Sequence, residues 1–216
     1  MHHGNTEASL IGAIIAALPC LKRVVYVTLD GPPYDLPLQP NHILSASTLA
    51  PLLDMPLMQL SMPQIPIALA SDDVAVLACA WPRMRALQLS DWMKGTRAVY
   101  LDVEDLVPFA QFMPELHTLG LPVRIPNTWT AAPATQEYVG RRLQKLYVAD
   151  IHPEFAPDAV QFLASTFPNA AVSQAYGHRL LLAELNKTKA SFAAVLATAC
   201  QARQNGLLPP QPAMDS

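Results

Sequence analysis

Six histidines, three cysteines and a few adjacent carboxylates are the side chains of this sequence with the most obvious capacity for chemistry. Zinc would need cysteines or histidines in pairs a few residues apart. Cys20, Cys79 and Cys200 stand alone, and His42, His117, His152 and His178 share no such spacing. His2 and His3 are neighbours in an exposed start, suited at most to adventitious metal. A cysteine nucleophile needs a base beside it, and none is recognisable, so the three thiols are expected to be small buried hydrophobes in a reducing compartment. Asp72-Asp73 and Glu104-Asp105 have the form of an acid/base pair. Both pairs open expected helices, however, where carboxylates offset the helix dipole. GxGxxG, GxxxxGK[ST] and GxSxG are all missing from the chain. "NKT" at Asn186 spells a glycosylation site, used only in a secreted chain. The sequence therefore predicts no catalytic residue, no metal and no cofactor.

Composition narrows the partners. Charged residues make up 14% and hydrophobic ones 51%, so many elements must be buried on more than one side. With a net charge of -3 there is no overall basic footprint for nucleic acid. "SLIGAIIAALPCL" (9–21) has the length of a signal-peptide core, yet the residues before it lack Lys and Arg and include Glu7. It is read here as a helix, and no apolar run reaches the roughly 20 residues of a membrane span. An intracellular location is expected.

The elements that would position a site are written in a recurring phrase. Pro19, Pro56, Pro82, Pro114 and Pro168 each follow a large apolar residue: Leu18, Met55, Trp81, Met113 and Phe167. Apolar residues come next in an L-x-x-L-x-L pattern: Met84, Leu87, Leu89 in one copy and Leu116, Leu119, Leu121 in another. The first copy reads Leu21, Val24, Tyr26, and the Pro56 copy is one residue short, with Met58, Leu60 and Met62. A further copy, Leu143, Leu146 and Val148, has Arg141 in the proline position. Helix-like segments precede the phrases. One has Ser71 as the expected N-cap, another Pro157 near its first position. Proline cannot continue a helix, so it turns the chain into a strand, and the apolar residue before it should plug the helix end.

Alternating helix and strand with this phrase predicts an α/β fold of the leucine-rich-repeat kind. It would be a solenoid of about six repeats, with parallel strands on the concave side and helices on the convex side. An ordinary α/β domain is the competing architecture. The expected organisation is a flexible N-terminus (1–8), the solenoid (9–177), a C-terminal helical cap (178–206) and a loose tail (207–216).

These stretches resemble a family. "LASDDVAVLACAWPRMRALQLSD", "FMPELHTLGLPV" and "LQKLYVADIHPEFAPDAVQFLASTFPNAAV" are similar to the leucine-rich region of fungal F-box proteins, with the matches running Asp73 to Leu89, Met113 to Leu121 and Val160 to Pro168. The similarity spans about 9–176, and its motifs are structural. The resemblance implies a protein-recognition surface, of the type used by substrate receptors of ubiquitin ligases. The F-box itself has no counterpart in this sequence, so docking to a ligase adaptor is expected only if an F-box exists outside this chain.

Residues between the strand leucines should face the concave surface. They are Arg85, Gln88, His117, Gln144, Tyr147 and Gln174, a mixed polar stripe with one aromatic, suited to a protein partner. The expected function is a non-enzymatic recognition scaffold binding an unknown protein, without nucleic acid or membrane. The alternative is a small α/β enzyme, or the remnant of one, with an unrecognised site.

Overall fold

The structure is a computed structural model. It describes residues 12–18, 25–29, 43–62, 65, 67–89, 100–128, 139–151, 156–174, 194, 197–198 and 201. After a helix described over 12–17 (α1), the chain lays down short strands, several of them separated by helical segments. The strands are β1 (Tyr26–Thr28), β2 (Leu44–Ser45), β3 (Gln59–Ser61), β4 (Ile67–Ala68), β5 (Ala86–Gln88), β6 (Thr118–Ile125), β7 (Lys145–Ile151) and β8 (Ala171–Gln174). The helices are α2 (Ser71–Ala80), α3 (Val107–Phe112) and α4 (Pro157–Thr166), with 3-10 helices at Ala46–Leu52 and Val103–Leu106.

The protein is α/β, and its main sheet is parallel. Six strands lie in the order β1-β3-β5-β6-β7-β8, which is chain order, and each neighbouring pair runs parallel. Parallel neighbours need crossovers, and 3-10 or α-helices are described in each of them except the one from β6 to β7. Crossovers of one hand stepping always in one direction put every helix on the same face of the sheet. Accordingly α2 lies against both α3 and the 3-10 helix before it. A smaller parallel pair, β2 with β4, and a bridge from Leu101 to Val123 continue the pairing beyond the strand ends.

One rung organises the core. Val27, Leu60, Leu87, Leu119, Leu146 and Val172 stand in register across all six strands, and all are buried. Met84, Leu89, Leu116, Leu121, Leu143 and Val148 are buried as expected. The plug residues Met55, Trp81, Met113 and Phe167 are buried as well, and Leu18 is partly so.

Several local expectations are corrected. Tyr26 is 59% exposed, because Val27 and not Val24 pairs with Leu60; the first unit is longer before its strand than the phrase implies. In the short Pro56 unit the buried residue after the corner is Leu57, not Met58. The N-cap of α2 is Ala70 rather than Ser71; the Asp73 carboxylate accepts the Ala70 N–H at 2.8 Å and so satisfies the N-cap position from inside the helix. Asp105 does the same for Asp102 at 2.8 Å. Cys79 is exposed rather than buried, one residue past buried Ala78 on α2. The segments before β3 and α3 open as 3-10 helices, the first with Pro51 inside it. The expected terminal segments (1–8 and 207–216), Cys20, Cys200 and the other five histidines lie outside the described residues. So does the C-terminal cap, apart from 194, 197–198 and 201, which are helical.

Charge is sorted by edge. Where strands end and helices begin stand Asp72, Asp73, Asp102, Glu104, Asp105 and Asp158. Where helices end and strands begin stand Arg83, Arg85, Arg141, Arg142 and Lys145, which outnumber the carboxylates of Asp54 and Glu115 there.

Candidate recognition surface

The face of the sheet on which no helix is described is built by the strand register. Residues flanking each buried rung point the other way, which gives two outward rows about 4.8 Å apart from strand to strand. One row is Tyr26, Gln59, Ala86, Thr118, Lys145 and Ala171. The other is Thr28, Ser61, Gln88, Gly120, Tyr147 and Ser173. A third line precedes the strands. His117 N–H donates to the Arg85 carbonyl at 2.8 Å and Gln144 N–H to that of His117 at 2.9 Å, so these three residues are neighbours.

Five of the six stripe residues read from the sequence are thus placed on this surface. Arg85, His117 and Gln144 form one line, while Gln88 and Tyr147 share a row with Gly120 between them. Gln174 is the exception. In register it stands opposite Val148, and Ser173 takes the place beside Tyr147. The cause is the entry to β8. In β7 the N–H groups of Gln144 and Lys145 both reach the His117 carbonyl, at 2.9 and 3.0 Å. In β8 Ala171 N–H goes to the Gln144 carbonyl at 2.8 Å, and Val172 already stands opposite Leu146. One residue fewer between corner and strand shifts the frame.

Polar contacts hold parts of this surface. The Arg85 Nε donates to Glu115 Oε2 at 3.3 Å, with both side chains open to solvent. Ser61 Oγ donates to Gln88 Oε1 at 2.9 Å and ties down the amide. His117 is half-buried, and its Nδ1 is shielded with no hydrogen-bond partner among the described residues. Turning the ring over would put a carbon there at no cost in sterics. Gly120, buried in the outward row, leaves a step between Gln88 and Tyr147.

Sequence reasoning missed Gln59, Thr118 and Lys145, which also face outward. The signal was present: both x residues of L-x-x-L leave the core. Beside the sheet, an open hollow separates the Pro56 and Pro82 corners, with Asp54 and Arg83 as its ionisable side chains. Among the described residues no three of His, Cys, Asp and Glu converge as a metal would require. No described helix is long and apolar enough to cross a membrane. No protein-family model matches the chain, and no curated protein is detectably similar to it.

Proposed function

We propose that the chain is a leucine-rich-repeat solenoid acting as a non-enzymatic protein-recognition scaffold inside the cell, with the helix-free face of the sheet as its binding surface. The observation that supports this best is the single buried rung from Val27 to Val172, repeated once per strand in chain order, with polar residues alternating outward. A backbone so spaced holds side chains at fixed intervals, and a partner laid across it needs little rearrangement of the scaffold. Tyr147 is the anchor, since a partly buried aromatic amid polar neighbours is the usual form of a binding hot spot. Its neighbours Gln88, His117 and Gln144 supply hydrogen bonds around it. The likeness to fungal F-box proteins favours a substrate-receptor role in a ubiquitin ligase, with the F-box supplied from outside these residues.

Two measurements test the two halves of this reading. Val172→Asp places a charge at the last position of the rung. In a solenoid, amide hydrogen exchange should accelerate in β7 and β8 while β3 and β5 stay protected. Uniform loss of protection would count for an ordinary α/β domain. For the surface, Tyr147→Ala should weaken capture of the partner recovered with the wild-type chain about tenfold, with an unchanged melting temperature. Undiminished capture would remove the sheet face from the proposal.

A further inference from the structure

The strand-entry edge repeats one turn four times. Met84 N–H donates to the Trp81 carbonyl at 3.0 Å, Leu116 to Met113 at 3.1 Å, Leu143 to Gly140 at 3.3 Å and Ala170 to Phe167 at 3.1 Å. The third position of these turns is occupied by Arg83, Glu115, Arg142 and Asn169 in order. Two guanidinium groups therefore stand at the same position on turns two strands apart, with a carboxylate on the turn between them. Arg141, Arg85 and Lys145 surround them, and all five cations are exposed. Arg85 is held by Glu115, whereas the other four have no ion pair among the described residues.

Helix dipoles do not account for this cluster. A cation compensates a helix end when it lies within the last turn, and the last turns of α2, α3 and α4 hold no basic residue. The cations come after the helices, on the turns that lead onto the recognition face. On the opposite edge, by contrast, all six named carboxylates stand at helix starts, and two of them, Asp73 and Asp105, each accept a backbone N–H.

We propose that this edge docks an acidic, extended protein segment whose carboxylates recur every third residue; the proposal rests on the recognition reading above and names the chemistry of its partner. The spacing argues for it. Positions two strands apart are separated by about 9.6 Å. A polyproline-type segment rises about 3.1 Å per residue with three residues per turn, so side chains three apart share a face about 9.3 Å from one another. Glu115 between the two arginines disfavours a third carboxylate in the middle and favours an acid-neutral-neutral-acid pattern. A nucleic acid fits less well, because the chain carries a net charge of -3 and its opposite edge is acidic.

The test uses the full chain and fluorescein-labelled peptides, read by fluorescence anisotropy at low salt. A peptide of Glu-Pro-Ser repeats should bind more tightly than one of the same composition with its glutamates in a block. Its Gln-Pro-Ser counterpart should not bind. Replacing both arginines, Arg83→Ser with Arg142→Ser, should weaken the Glu-Pro-Ser complex about fivefold, the effect of two exposed ion pairs, with an unchanged melting curve. The paired control Asp72→Ser with Asp158→Ser should leave it no weaker. Equal binding by the arginine double variant, or no preference for the spaced peptide, overturns the proposal. Tighter binding of oligothymidylate of equal length overturns it in favour of nucleic acid. A captured partner that is lost with Tyr147→Ala but indifferent to both arginines leaves the recognition reading standing and removes this one alone.

Discussion

Two corners of the molecule use the same turn and opposite residues. One begins with Trp81, which is 1% exposed, and the other with Gly140. At the first, the indole fills the space at the end of its own helix, and its Nε1 donates to the Leu52 carbonyl at 3.0 Å, closing the end of the preceding 3-10 helix. At the second, the space is filled from the next unit. The Phe167 ring lies so close that a Cβ on Gly140 would come within 2.6 Å of two of its carbons. Gly140 N–H donates to the Thr166 carbonyl at 2.8 Å and so closes the end of α4. Each corner thus delivers a buried plug and a donor to a helix-end carbonyl. The difference teaches that volume and hydrogen bond are what the corner must provide, and that a neighbour can provide them as well as the local residue.

Breaking the comparison from the tryptophan side should have the largest effect. Trp81→Ala empties a buried site and removes the indole donor from the Leu52 carbonyl, which keeps the Met55 N–H, and should cost about 4 kcal/mol in urea denaturation. A cost near that of a surface residue would show that the corner collapses without its plug. Gly140→Ala should cost about 2 kcal/mol through overpacking against Phe167. Adding Phe167→Leu to it should recover part of that loss, and a double variant no better than additive would refute the idea that the ring occupies the missing side chain's place. Trp81→Phe keeps most of the volume but removes one of two donors from the Leu52 carbonyl, which still accepts the Met55 N–H at 3.0 Å, so about 1 kcal/mol is expected from the lost bond. The smallest change is Asn169→Ala, which deletes the exposed bond from Nδ2 to the Arg141 carbonyl at 2.7 Å. It should cost about 0.5 kcal/mol, measurable as a small shift of the urea midpoint.

How legible this was depended on what kind of feature was sought. The plugs at Met55, Trp81, Met113 and Phe167 and the inward leucines could be read from letters, because burial forces apolar residues at a fixed offset from a proline. The one-residue shortfall at Pro56 was legible for the same reason: Leu60 has no apolar substitute nearby. The shift at β8 was not, because Ala170, Ala171 and Val172 are all apolar and the letters permit two frames. Only the hydrogen bond from Ala171 to Gln144 selects one, and with it the misplacement of Gln174. Tyr26 failed similarly, since "VVYV" offers several apolar residues in a row. The line Arg85, His117 and Gln144 was visible as the first x of each phrase. Arg83 and Arg142 were not seen as partners, because their relation lies in repeated turns and not in nearby sequence.

The sorting of charge between the two edges has a consequence for motion before contact. With carboxylates in excess where helices start and cations in excess where strands start, the described part of the molecule carries a dipole in the plane of the sheet, directed along the strands. In an external field such an object experiences a torque, so an approaching charged molecule meets it already turned. That alignment acts over roughly one Debye length, about 8 Å at physiological ionic strength. Added salt should therefore slow the encounter first, while the lifetime of a formed complex changes less.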